Sequence, residues 1–179
     1  MSLQELSYIR KTIRSDSRLL RLDDAFNTLP EFSLNTVELY EEINRIHMVR
    51  KTRHLNRKSA SFTQDIIDGL LDDQAHRSRL SEIMMGCVHV ARNLSGTLET
   101  MEGHLLSEYS DLLSSIRTKT ERQTFVRANV LNKYMKYVDR VDRVKVAAET
   151  VIIDIDKAGY MYRNLIEAVK MSAGRKEAL

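Results

Sequence analysis

Between Val130 and Val169 apolar residues recur alternately four and three positions apart. They are Val130, Tyr134, Tyr137, Val141, Val144, Ala148, Val151, Ile155, Ala158, Tyr162, Leu165 and Val169. A 3.5-residue spacing kept up this long predicts one extended helix with a coiled-coil-like seam. A single helix over 121–171 would run about 75 Å at 1.5 Å per residue. A helix that long cannot be buried alone in a compact domain, so it needs a second long helix, in the same chain or another. Leu80, Met84, Cys87, Ala91, Leu94, Leu98, Met101 and Leu105 repeat the same spacing, which then slips to Tyr109, Leu112 and Ile116, an inserted stutter. A break at Arg117–Thr120 separates the two patterns, and the pair reads as an antiparallel hairpin. Gly86, Gly96 and Gly103 weaken the earlier helix, by about 1 kcal/mol each relative to Ala. A bend is expected at Leu94–Thr97.

Ser2-x-x-Glu5, Asn35-x-x-Glu38, Ser61-x-x-Gln64 and Thr118-x-x-Glu121 fit the capping box or its close variants, and Pro30 marks a loop. The expected helices cover about 3–14, 35–57 and 62–117, with a junction at 58–63 and then the last helix. The predicted fold class is all-α: a long antiparallel helical hairpin, or coiled-coil-like bundle, with short N-terminal helices. Its organisation reads as an N-terminal helix and Pro-containing loop (1–34), a basic helix (35–60), the hairpin (61–172) and a tail (173–179).

Composition narrows the class further. One Pro and six Gly are too few for the many tight turns of a β-rich fold. A lone Cys excludes a disulfide framework and points to a reducing compartment. No apolar run approaches the roughly 18 residues that span a bilayer. The N-terminus, MSLQELSYIRKTIR, lacks the apolar core of a secretory signal. The expectation is a soluble cytoplasmic protein, in a bacterial host if phage-encoded, with no membrane partner.

The net charge is only +3, but its distribution is uneven. From Ile43 to Gln64 there is no acidic residue, while Arg45, Arg50, Lys51, Arg53, Arg57 and Lys58 occur beside His47 and His54. A second basic stretch, 117–145, carries nine Lys and Arg residues against Glu121, Asp139 and Asp142. Asp65, Asp68, Asp72 and Asp73 make an acidic patch between them. Clustered positive charge is the electrostatic footprint of a polyanion partner, although a charged helix face can also be merely solvated.

Catalytic chemistry is not readable. Glycine-rich phosphate loops and the nucleophile elbow are absent. The five histidines do not form a zinc pattern, and Asp73-x-x-His76 reads as a surface ion pair. His89 and His104 read as helix-surface or interface residues. Cys87 falls on the seam and reads as a small buried hydrophobe. Asp154 and Asp156 point to different helix faces and read as solvated flanks of the seam. Tyr134 and Tyr137 lie among basic residues, as base-stacking aromatics do, yet both occupy seam positions and read as core. No enzyme, cofactor or metal is expected.

Two stretches resemble the UvsY recombination mediators of T4-type phages. The first is Leu39-Tyr40-Glu41-Glu42-Ile43-Asn44-Arg45-Ile46-His47, followed by Val49-Arg50-Lys51-Thr52-Arg53-His54-Leu55. It is similar to that family's Leu-Tyr…His helix and basic Lys-x-Arg element. The second, Asp156 to Glu167, is similar to the family's terminal Gly/Arg-aromatic-x-x-Lys/Arg-x-x-Ile segment. Together they cover about a fifth of the chain, and the middle section has no counterpart. The resemblance implies a small helical, ring-forming protein. Such a protein binds single-stranded DNA and helps load a RecA-like recombinase against competition from single-strand-binding protein. Lys51 and Arg53 would then be the DNA contacts, and the C-terminal helix would serve assembly. Arg50, Arg57 and Lys58 join them from the charge run alone.

The sequence therefore supports a non-enzymatic, homo-oligomeric accessory protein of DNA metabolism. Nucleic-acid contacts are expected at Arg50, Lys51, Arg53, Arg57 and Lys58. The assembly seam is expected at Val130, Tyr134, Tyr137, Val141, Val144, Val151, Ile155, Tyr162 and Leu165. The alternative is a helical structural or adaptor protein whose long hairpin mediates protein–protein assembly. Arg10, Lys11, Arg14, Arg18 and Arg21 leave open whether the N-terminal segment packs on the body or forms an arm that touches DNA.

Overall fold

The computed structural model describes residues 3–51 and 62–176, with side chains over 4–51 and 62–171. Helices account for the described residues outside turns and short loops, with no strand among them. In chain order they are α1 (Leu3–Arg14), α2 (Ser17–Thr28), α3 (Thr36–Lys51), α4 (Phe62–Glu108), α5 (Ser110–Leu113), α6 (Lys119–Val126) and α7 (Asn132–Lys176). A π-helical turn, Arg127–Leu131, joins α6 to α7. The long helices α4 and α7 pack against each other in an all-α hairpin, with short N-terminal helices. The 58–63 junction lies almost wholly outside the described residues, and α7 runs to Lys176, into the stretch read as a tail.

Two compact units divide the chain, one formed by Met1–Thr36 with Cys87–Arg143 and the other by Val37–Gly86 with Val144–Leu179. Both long helices contribute a segment to each unit.

The first unit is built on the C-terminal half of α4 and the start of α7. The α4 stripe buries Cys87, Val90, Leu94, Leu98, Met101 and Leu105. Earlier in the same helix, Leu80 and Ile83 are buried. Ile83 and Val90 thus take the positions expected of Met84 and Ala91, which are half-buried. Both alternatives keep a three-or-four spacing, and a core-facing helix carries a stripe wider than a two-position seam. No break occurs at Leu94–Thr97, where α4 is continuous. Gly96 is exposed, and the buried Leu94 and Leu98 on either side keep the helix going through it. Burying a leucine contributes roughly 1.5–3 kcal/mol, more than the roughly 1 kcal/mol cost of the glycine. The stutter after Leu105 is a real interruption: α4 ends at Glu108 and the short α5 follows.

Thr118 restarts the helix with a complete capping box. Its hydroxyl accepts from the Glu121 N–H, and the Glu121 carboxylate accepts from the Thr118 N–H, each at 3.1 Å. Val126, Val130 and Tyr134 are buried at two successive steps of four. Two such steps overshoot an α-helical face, and the wider π turn absorbs the excess. The N-terminal segment packs on this unit. Ile9, Ile13, Leu19 and Leu22 are buried, and Arg14 Nη2 donates to the Asn129 carbonyl at 2.8 Å. The helix α2, unmarked in the sequence reading, is capped by Asp16, whose carboxylate accepts from the Arg18 and Leu19 N–H groups. Phe26 of α2 meets Tyr134 and Tyr137 edge-on, at centroid separations of 5.2 and 4.9 Å.

The second unit combines α3 with the first half of α4 and the second half of α7. Ile43 and Ile46 of α3, Ile66 of α4, and Val144, Ala148, Val151 and Ile155 of α7 are buried there. Beyond Ile155 the α7 seam opens: Ala158, Tyr162 and Leu165 are half-buried and Val169 is exposed.

Candidate nucleic-acid interface

Two ion pairs hold α3 along α4. Arg79 grips Glu42 through two bonds, Nε to Oε1 at 2.7 Å and Nη2 to Oε2 at 3.0 Å. The Arg79 hydrogen bond holds the Glu42 carboxyl below its usual range against the opposing effect of burial, and Glu42 in turn raises the Arg79 pKa. Arg79 is half-exposed, so this pair contributes little to stability. The pair between Arg50 and Asp73 is different. Arg50 Nε donates to Asp73 Oδ1 at 2.9 Å, with side-chain exposures of only 10% and 5%. Its Nη2 donates to Asp73 Oδ2 and to the Asp154 carbonyl, both at 3.3 Å. One guanidinium thereby ties together α3, α4 and α7.

This geometry corrects two readings. Arg50 is turned inward as a structural cation, because a buried Asp73 carboxylate is tolerable only when paired. Asp73 accordingly pairs across to α3, rather than forming a surface ion pair with His76. Buried Nδ1 atoms of His47 and His76 lack a hydrogen-bond partner. Of the remaining predicted DNA contacts, Lys51 is exposed, while Arg53, Arg57 and Lys58 lie outside the described residues.

An open cleft of about 870 Å³ lies beside this pair. His47, Arg50 and Lys51 of α3 form one wall, and Lys157, Met161, Tyr162, Asn164 and Leu165 of α7 the other, with Asp73 and Asp154 also lining it. Lys157 Nζ stands 4.0 Å from Asp154 Oδ1 and remains 73% exposed. Residues from both stretches singled out by the resemblance, His47, Arg50 and Lys51 from the first and Lys157, Met161, Tyr162, Asn164 and Leu165 from the second, line this one cleft. The predicted seam residues Tyr162 and Leu165 are cleft lining. Val130, Tyr134, Tyr137, Val141, Val144, Val151 and Ile155 are buried within the chain.

Four of the nine basic residues in the second stretch make internal contacts. Arg122 Nε donates to the Ile116 carbonyl at 2.9 Å, and Arg127 pairs with Glu102 at 2.8 Å. Lys133 pairs with Asp23, and the Arg140 guanidinium lies 5.4 Å from the Tyr137 ring centroid. Arg117, Lys119, Lys136 and Arg143 are exposed. Tyr134 and Tyr137 are core residues. The Tyr134 hydroxyl donates to Asp23 and burial pushes its pKa up to about 12; the Tyr137 hydroxyl donates to the Leu34 carbonyl at 2.9 Å. Cys87 is fully buried, and burial together with the Asp142 charge raises its pKa, the opposite of what a nucleophile needs.

In the first unit His104 receives Arg18 Nη1 on Nδ1, at 3.2 Å, and its Nε2 lies 3.1 Å from Asp16 Oδ2. A guanidinium can only donate, so Nδ1 is the acceptor and Nε2–H donates to Asp16. Nothing in the sequence marked this cluster, because Asp16 and Arg18 lie 88 and 86 residues from His104. Among the described residues no three His, Cys, Asp or Glu side chains gather as a metal site, and no helix is long and apolar enough to cross a membrane. No protein-family model, curated protein or solved structure matches this chain.

Proposed function

We propose that this chain is a non-enzymatic accessory protein of DNA metabolism that self-associates and binds single-stranded DNA along the cleft between α3 and α7. The observation that carries the reading is the cleft itself, which brings Lys51 and Lys157 from distant parts of the chain to facing walls. Phosphates are the groups such lysines would hold, independent of base sequence. The acid-free run that continues past Lys51, with Arg53, Arg57 and Lys58, extends the same charge. By resemblance, the activity served is the loading of a RecA-like recombinase in competition with single-strand-binding protein.

The test is fluorescence anisotropy of labelled oligo-dT over a salt series. A log–log slope of about −2 or steeper corresponds to roughly three phosphates, at about −0.7 per contact. Lys51→Glu combined with Lys157→Glu should weaken binding and flatten that slope. Arg50→Ala should instead lower stability, because it removes a buried ion-pair partner of Asp73 and the bond to the Asp154 carbonyl. No binding of the unaltered chain at about 50 mM salt, where phosphate contacts are strongest, overturns the reading.

One observation favours the second reading, a helical adaptor. The second unit holds most of the exposed large apolar residues, among them Val37, Tyr40, Met48, Leu71, Met85 and Tyr160. A stable complex with a protein partner and no DNA affinity would select it.

A further inference from the structure

We infer that Tyr160 is a base-stacking residue, holding one unpaired base against its ring beside the Arg163 guanidinium. This inference rests on the single-stranded DNA reading and adds to it a contact on the other flank of α7. The ring is 67% exposed, whereas Tyr134 and Tyr137 are buried. The Arg163 guanidinium carbon lies 5.8 Å from its centroid, which gives a planar cation alongside a planar π-face. Both residues line a groove of about 630 Å³ between α7 and α4, with Gly159, Gln74 and Arg77. Asp156, one helical turn before Tyr160, is paired with Arg77 at 2.9 Å. The Gln74 side chain offers both a donor and an acceptor to a base edge, which suits sequence-tolerant binding.

Position on the helix links this groove to the cleft. Lys157 and Tyr160 are three residues apart, so they are surface neighbours at about 5–6 Å between Cβ atoms. One nucleotide can therefore place its phosphate at Lys157 and its base on Tyr160. Stacking on an aromatic face tolerates any base, because every base has a π-face.

The experiment is a double-mutant cycle on the full chain, pairing Tyr160→Ala with an oligo-dT that carries abasic sites. Tyr160→Ala should raise Kd about tenfold, within the range of base–aromatic stacking, and leave the salt slope unchanged. Tyr160→Phe should bind like the unaltered chain. The unaltered chain should lose affinity for the abasic oligonucleotide, and Tyr160→Ala should lose little further. The chain has no Trp, so Tyr160→Trp supplies a single emitter whose fluorescence the oligo-dT should quench. If the unaltered chain binds oligo-dT and Tyr160→Ala binds equally well, the stacking role is overturned while the cleft reading stands. If the unaltered chain does not bind, both fall.

Discussion

Asp16 caps α2 with one carboxylate oxygen and receives His104 Nε2–H and the Tyr109 hydroxyl on the other, at 3.1 and 3.2 Å. Burial opposes its ionisation, but the Leu19 N–H, His104, the Arg18 N–H and Tyr109 together hold its pKa below the ordinary value. A carboxyl depressed in the folded state stabilises the fold above its unfolded pKa of about 3.9, and the contribution disappears as pH falls through the folded value. Thermal melts should therefore show stability falling below about pH 4, and Asp16→Asn should flatten that part of the profile. Asp16→Ala also removes the cap and should cost about 0.5–2 kcal/mol at neutral pH. An Asp16→Asn profile as steep as that of the unaltered chain would assign the acid sensitivity to other carboxyls.

Among the elements, α4 is the clearest case of packing overriding local preference. It runs 47 residues, or about 70 Å, through Gly86, Gly96 and Gly103 without a break. At Gly96 and Gly103 a Cβ would meet nothing within 4 Å. Gly96→Ala should therefore raise stability by about 0.5–1 kcal/mol, measured by chemical denaturation. A loss of stability would mean that the helix uses Gly96 as a hinge. The helix ends instead where the apolar spacing slips, at Glu108, and the new helix begins where Thr118 and Glu121 form a capping box. Between α6 and α7 the chain solves a register problem with a π turn, which places Val130 and Leu131 both in the core.

For the molecule as a whole, the distribution of apolar surface matters most. In the second unit α3 exposes Val37, Tyr40 and Met48, and α7 exposes Val146 and Ile153, seven residues apart. On α7 these last two lie roughly opposite the buried Ala148, Val151 and Ile155 in helical angle. Self-association should use these faces, and not the seam residues Val130, Tyr134, Tyr137, Val141, Val144 and Val151, which are buried within the chain. Sedimentation velocity should show concentration-dependent assembly that Ile153→Lys weakens. Substitutions such as Val141→Ala should lower stability by about 1–3 kcal/mol through lost burial and a new cavity. A monomer at all concentrations would remove assembly from the proposed function.

Local and periodic signals could be read one helix at a time. The α7 seam, the second long helix, the Thr118 box and the burial of Cys87, Tyr134 and Tyr137 follow from spacing, because a helix presents residues three and four apart on one face whatever its surroundings. The same logic could not show what a given charge would meet. Arg50 looked like Lys51 in sequence, yet one faces a buried Asp73 from 23 residues away and the other faces solvent. Much of the 117–145 stretch looked like a polyanion surface, yet Arg122, Arg127, Lys133 and Arg140 are held by internal partners. Ion pairing depends on distances of a few ångströms between residues far apart in the chain. Periodicity sets which face a side chain occupies, and the packing of α3, α4 and α7 within the second unit sets whether that face meets a carboxylate, a ring or water.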